Sequence, residues 1–323
     1  MNFYSKHKKP ESVIGTLLNF FPLIIFFKVV IGDGSSGVIK VYDECKILIT
    51  NFTAHSGGIN RFKVLPNGKL ASSSQDFTVK IWNTFNWNLI TTFTGHTNQA
   101  YGLEYIQNDI IASCSYDETI QVWVISTGAL IKNISVGSQA SSLQLLSNGY
   151  MACGLKDWTI KIFNHTSGEL INTLYGHRSQ IFNLLLINDQ VLASSEIGPN
   201  PLPIILIWNT TNSSIIYTLS GHTDGIFGLR SIAPNLLASS SKDFNVNIWD
   251  LTSGRLLKSL KNHSSKLYYD VDLYTQDTLI TASYDLTVKF WEISTGEVIE
   301  TIYTNLQSRA LAMLDNCKHK LIL

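Results

Sequence analysis

Residues 222–250 read HTDGIFGLRSIAPNLLASSSKDFNVNIWD. Ile226 to Ile232 has the length and apolar content of a strand, Pro234-Asn235 is turn chemistry, and Leu236 to Ser239 is a second strand. Asn245 to Trp249 alternates polar and apolar side chains as a third strand. After it Thr252-Ser253-Gly254 makes a turn, and Arg255 to Leu260 supplies a fourth strand. The short runs broken by turns exclude a helical reading of this unit.

The unit recurs along the chain. Trp82, Trp123, Trp208, Trp249 and Trp291 each close a short β-branched run, and Tyr42 and Phe163 take the same place in two further copies. The intervals between successive anchors are 40, 41, 40, 45, 41 and 42 residues. Self-similarity at a period near forty is the mark of a repeat architecture, and seven anchors mean seven units. The expected fold is all-β, with four strands to a unit.

Composition agrees with a large β-rich core. Of the 323 residues 45% are hydrophobic, and seven Trp, thirteen Tyr and fifteen Phe suit sheet packing. Lys plus Arg and Asp plus Glu balance at 24 each, so no net field draws in nucleic acid or an anionic membrane. Cys45, Cys114, Cys153 and Cys317 have no metal-ligand spacing, which fits a reducing compartment and a cytoplasmic chain. Six N-x-S/T sequons are read as incidental.

A histidine opens most units, as in Gly95-His96, Gly176-His177 and Gly221-His222, with Ala54-His55 and Asn262-His263 as variants. An aromatic-polar dipeptide closes the third strand. With these features the chain resembles the WD-repeat family over roughly residues 29–314. The resemblance implies a seven-bladed β-propeller of four-stranded antiparallel blades around a central channel, whose inner strands and loops hold partners.

Ser, His and Asp recur at fixed spacing, but not as a catalytic triad. His55 precedes Asp76 by 21 residues, as His96 does Asp117 and His222 does Asp243; His263 precedes Asp285 by 22. Ser72, Ser113, Ser239 and Thr281 lie four residues before those aspartates, and Trp82, Trp123, Trp249 and Trp291 six after them. The resemblance implies a hydrogen-bonded chain from indole to hydroxyl to imidazole to carboxylate, tying strands together. An enzyme has one nucleophile in one cleft, whereas this set recurs at the repeat period, so no catalytic residue, metal or cofactor is expected. The set is broken in three units. That ending at Phe163 has Val136 and Cys153 in the His and Ser places and keeps Asp157; that ending at Trp208 keeps His177 and Ser194 without an aspartate; that ending at Tyr42 has Gly32 and Ser36 in the Ser and Asp places.

Closing the ring requires one blade built from both termini, because an open row leaves bare sheet edges. Val29 to Gly32, Val38 to Tyr42 and Lys46 to Phe52 supply three strands. The innermost has two claimants, Arg309 to Leu314 and Ile14 to Phe20, of which the first is favoured because it removes both edges. The expected division is a tail over residues 1–28 and a propeller over 29–323. The tail carries Lys6, His7, Lys8 and Lys9 before an apolar run from Val13 to Phe27; a membrane-anchored or secreted chain, held through residues 13–31, is the alternative to a cytoplasmic one.

The expected function is a non-catalytic scaffold for a protein or peptide, with no nucleic acid and no small-molecule cofactor. A narrower alternative is substrate recognition in a ubiquitin-ligase-type assembly, with the helical adaptor on another chain. Five residues after each opening histidine stand Asn60, Tyr101, Phe182, Phe227 and Tyr268, with Ser141 in the degenerate unit; the repeat puts them around the channel mouth. Gln75, Tyr116, Lys156, Lys242 and Tyr284 precede the aspartates at loop tips on the same face. Together they are the expected contact surface, since aromatics on a rim are hot-spot residues. Ile197 to Pro203, with three prolines, reads as a stiff projection on that face.

Overall fold

The computed structural model describes residues 27–198, 201–268 and 271–315. Blade 1 begins with β1 (Phe27–Asp33), β2 (Val38–Tyr42) and β3 (Leu48–Thr53). Blade 2 is β4 (Ile59–Leu65), β5 (Lys69–Ser74), β6 (Val79–Asn83) and β7 (Leu89–Phe93). Blade 3 is β8 (Ala100–Gln107), β9 (Ile110–Ser115), β10 (Thr119–Val124) and β11 (Leu130–Ser135). Blade 4 is β12 (Ala140–Leu145), β13 (Met151–Leu155), β14 (Ile160–Phe163) and β15 (Leu170–Leu174). Blade 5 is β16 (Ile181–Asn188), β17 (Val191–Glu196), β18 (Ile204–Asn209) and β19 (Ile215–Ser220). Blade 6 is β20 (Ile226–Ala233), β21 (Leu236–Ser241), β22 (Asn245–Asp250) and β23 (Arg255–Lys261). Blade 7 is β24 (Val271–Thr275), β25 (Thr278–Ala282), β26 (Thr287–Glu292) and β27 (Val298–Tyr303), after which β28 (Ser308–Asp315) returns to blade 1.

Seven antiparallel four-stranded sheets result. Their first strands touch in a closed circle, β4 to β8 and onward through β24 to β28 and back to β4, so they line the axis of a ring. The ring closes through β28, which pairs antiparallel with β1 from Lys28 opposite Leu314 to Gly32 opposite Ala310. The innermost strand of blade 1 is therefore the C-terminal claimant. Ile14 to Phe20, and the tail with its apolar run, lie outside the described residues.

The closing aromatics explain why blades stack. Trp82, Trp123, Phe163, Trp208, Trp249, Trp291 and Tyr42 are all buried, each in a separate apolar cluster shared with the preceding blade. A four-stranded sheet with one such residue per copy covers its neighbour's face, and only a full circle covers every face.

Candidate functional site: the top face and channel mouth

The loop opening each blade and the hairpin between its second and third strands lie at the same end of the disc. The Ser-His-Asp sets sit here and are used up in holding the fold. In blade 6 the Trp249 indole N–H donates to Ser239 Oγ at 2.7 Å, that oxygen is 2.8 Å from His222 Nε2, and His222 Nδ1 is 2.8 Å from Asp243. Blades 2, 3 and 7 repeat the chain: Trp82, Ser72, His55 and Asp76; Trp123, Ser113, His96 and Asp117; Trp291, Thr281, His263 and Asp285. Every polar atom in it has a partner, which is what a buried network requires.

Blade 5 corrects the reading of its clamp as incomplete. Glu196, two residues after Ser194, turns back so that its Oε2 lies 2.9 Å from His177 Nδ1, while His177 Nε2 lies 2.6 Å from Ser194 Oγ and Trp208 donates to that oxygen at 2.7 Å. Glu196 also accepts the Arg178 and Ile204 N–H groups. A Glu carries one more methylene than Asp, enough to reach the imidazole from the strand end when the hairpin beyond is longer. In blade 4 the buried Val136 stands in the histidine's place, its N–H bonding to Glu118 O as that of His55 does to Gly37 O, and no imidazole is there to complete a clamp. In blade 1 the buried Asp33 accepts the N–H groups of Ser35 and Ser36 and so braces its own turn.

The electrostatics follow from burial and donors. Burial opposes the charge of each clamp carboxylate, but hydrogen bonds from histidine and from nearby hydroxyl or backbone N–H groups outweigh it: Asp117 is lowered to about 2, and Asp76, Asp243, Asp285 and Glu196 are lowered too. Burial also lowers His55 and His263 despite their aspartates, so both are neutral imidazoles that donate from Nδ1 and accept at Nε2. A histidine kept neutral in the fold protonates first in the unfolded chain. Its contribution to stability is present above about pH 6.5 and is lost as pH falls below that value. Followed by NMR, the imidazoles of His55 and His263 are expected to titrate below about pH 6.5; titration above that value would contradict the assignment.

The clamp carboxylates differ in what they hold. Replacing Asp243 or Glu196 by Ala leaves a buried imidazole without its acceptor and is expected to cost about 1–3 kcal/mol. Asp157 binds only the Thr159 N–H and hydroxyl and faces Lys161 at 3.9 Å, so Asp157→Ala is expected to cost less. Thermal melts of the three variants check this, and equal shifts would refute the clamp.

Around the axis the structure brings together the residues singled out by repeat position, but not as an open rim. Tyr101 lies 6.0 Å from Phe182, Phe182 is 4.8 Å from Phe227, and Phe227 is 4.4 Å from Tyr268, ring centre to ring centre. Asn60, Tyr101, Phe182 and Phe227 are buried, at 0, 4, 2 and 6% exposure. This corrects their assignment as contact residues. Ser141 in blade 4 is small enough for Tyr101 of blade 3 to meet Phe182 of blade 5, so the aromatics close over the axis and become core. Of the aromatics in this ring Tyr268 is half-buried. Its seventh member is Arg309 of blade 1, which the sequence reading missed; the guanidinium lies over the rings of Tyr101 at 5.8 Å and Tyr268 at 5.4 Å. Below, Arg61 of blade 2 spans the channel to Phe182 O of blade 5 at 2.8 Å.

Above this floor one backbone hydrogen bond recurs in all seven blades. Gly34, Gln75, Tyr116, Lys156, Ile197, Lys242 and Tyr284 donate their N–H groups to the carbonyls of Gln307, Gly58, Gln99, Gln139, Gln180, Gly225 and Lys266 respectively. The donors include the five loop-tip residues expected at the mouth. Tyr116 and Tyr284 are half-buried, stacked at 4.3 Å on Tyr101 and tilted at 4.8 Å on Tyr268, whereas Lys156 and Lys242 are exposed. The acceptor ring escaped the sequence reading, although glutamine two residues before Tyr101, Ser141, Phe182 and Arg309 was a visible signal. Ile197 packs on the core beneath, and Leu202 is exposed; Pro199 and Asn200, the tip expected to project, lie outside the described residues.

At the hairpin tips of blades 1, 2, 3, 4, 6 and 7 a residue just before the third strand has a left-handed backbone. Blade 1 uses Gly37, at φ 68°, but Phe77, Glu118, Trp158, Phe244 and Leu286 adopt φ of 72, 67, 72, 72 and 67°. Phe77, Trp158, Phe244 and Leu286 are 43, 54, 43 and 40% exposed.

Four stretches, residues 46–83, 87–124, 213–250 and 254–292, match the family model of the WD domain, G-beta repeat. Each runs from the fourth strand of one blade through the third strand of the next, so every matched repeat bridges two blades. Comparison with curated proteins found no match. Among solved structures, the crystal structure of the computationally designed Ika8 protein is similar, with 26% identity over 89% of this chain and 88% of that one and a TM-score of 0.69. From the four matched repeats and the seven blades stacked in one ring, the chain belongs to the WD-repeat β-propeller family.

Proposed function

We propose that this chain is a non-catalytic scaffold that holds a protein or peptide on its top face, over and around the channel mouth. Propellers of this family are generally protein-interaction scaffolds. The observation that carries the reading here is the set of exposed, left-handed Phe77, Trp158, Phe244 and Leu286. An L-residue in that conformation costs ~1–2 kcal/mol, and a bulky apolar side chain in water recovers none of it from the fold. Such strain is kept where a surface is used. The serines that a hydrolase would need are buried and bound to tryptophan and histidine, which supports a role without chemistry. Exposed Cys45 and buried Cys114 and Cys153 are free thiols, which suits a cytoplasmic setting.

Asparagine tolerates the left-handed backbone, so a variant carrying Phe77→Asn, Trp158→Asn and Phe244→Asn is expected to melt at or above the wild-type temperature. It is also expected to lose the partner that the wild-type chain captures from cells and that mass spectrometry identifies. Undiminished capture of that same partner by the folded variant would overturn the proposal.

A further inference from the structure

We infer that the segment held over the mouth is an acidic peptide, a stretch of partner chain rich in Asp and Glu. The inference rests on the platform reading and adds the chemistry of its ligand. The seven repeated backbone bonds at the mouth fix two residues each, fourteen in all; they include Lys156, Lys242, Lys266 and five glutamines, and not one Asp or Glu. In a chain with 24 basic and 24 acidic residues, that is a segregation of charge onto one small surface.

Of the acids nearby, those of the clamps hold histidines, Asp157 faces Lys161 at 3.9 Å, Asp224 faces Lys242 of the mouth itself at 3.4 Å, and Glu118 stands exposed at the hairpin tip of blade 3. The Lys266 ammonium lies 5.1 Å from the ring centre of Tyr268 and 5.0 Å from that of Tyr284, and among the described residues it pairs with no carboxylate. Lys156 bonds only to Gln139 Oε1, at 3.1 Å. These two lysines stand on blades 4 and 7, across the axis, with Lys242 on blade 6 beside the second. An extended peptide crossing the mouth meets a cation at each end. At the Lys156 end the side-chain amides of Gln99, Gln139 and Gln180, on blades 3, 4 and 5, offer donors and acceptors to its backbone. The aromatic floor stops it from threading the channel.

The charge pattern favours a carboxylate ligand over other anions. Nucleic acid is held by many phosphate contacts along a basic stripe, and three lysines around a mouth make none. A phosphate pocket calls for the planar fork of arginine, whereas the three cations among these fourteen residues are lysines and the guanidiniums of Arg61 and Arg309 are held in the floor beneath by Phe182 O and by the rings of Tyr101 and Tyr268.

The test uses the full chain and labelled peptides of equal length, one rich in Asp and Glu, one neutral and rich in Ser and Gln, and one rich in Lys, with single-stranded DNA as a fourth probe. Fluorescence anisotropy is expected to show binding of the acidic peptide alone, weakened roughly tenfold between about 50 and about 300 mM salt. The variant Lys156→Gln, Lys242→Gln, Lys266→Gln is expected to lose that binding roughly tenfold with an unchanged melting temperature. Equal binding of acidic and neutral peptides, tighter binding of DNA, or an acidic peptide indifferent to the lysine variant would each overturn the inference. If a neutral or basic peptide binds, and the Phe77, Trp158 and Phe244 variant loses it, the platform stands and the acidic ligand falls. If no peptide binds, the acidic ligand falls, and capture by the asparagine variant decides the platform separately.

Discussion

A chain ended at Gln307 is expected to show no cooperative melting transition and to elute as a mixture of oligomers. The deletion removes β28, whose ladder with β1 runs the length of both strands, and it uncovers the face of blade 2 against which β28 packs. The edge of β1 is then unpaired, and this strand, with Val29, Val30 and Ile31 fully buried in the intact ring, becomes an apolar edge strand. Loss of one closing strand therefore affects every interface, because each blade is stable only between two neighbours. A chain ended at Asp315 is the matched control, because it keeps all of β28. Calorimetry and size-exclusion chromatography decide the matter, and a monomeric shortened chain with the wild-type melting temperature would show that the ring does not depend on this strand.

Phe182→Ala is expected to cost ~3–5 kcal/mol of stability, the usual penalty for emptying a buried aromatic site. Phe182 touches Tyr101 and Phe227, and its carbonyl takes the bond from Arg61 across the channel, so the cavity opens where blades 2, 3, 5 and 6 meet. A rim residue that served only to touch a partner would leave the melting temperature unchanged. Denaturant unfolding of the variant separates the two. A midpoint like that of the wild type, together with lost partner capture, would return Phe182 to the contact surface.

The repeat was legible because each copy must solve the same packing problem. A tryptophan or its substitute closes each third strand since that position is buried against the preceding blade, and the Trp82-to-Trp291 spacing reports it directly. The clamps of blades 2, 3, 6 and 7 were legible for the same reason. Glu196 was not, because it reaches His177 from a different position than the aspartates do, and sequence alignment of repeats compares positions rather than reach. The burial of Tyr101 and Phe182 was also out of view. It depends on the small Ser141 between them and on Arg61 bonding to Phe182 and Asn183 more than a hundred residues away, contacts across the ring that no property of a single repeat encodes.

The central claim is that the top face, and not the sides or the bottom of the disc, is where this propeller is used. Hydrogen exchange of the chain, free and bound to its captured partner, measures this directly. The account expects slowed exchange on binding at the hairpin tips around Phe77, Trp158 and Phe244 and at the mouth residues Gln99, Gln139 and Lys266, with the outer strands β3, β7 and β11 unchanged. Protection confined to those outer strands, or to the turns at the opposite face such as Asn67 and Asn108, would contradict it.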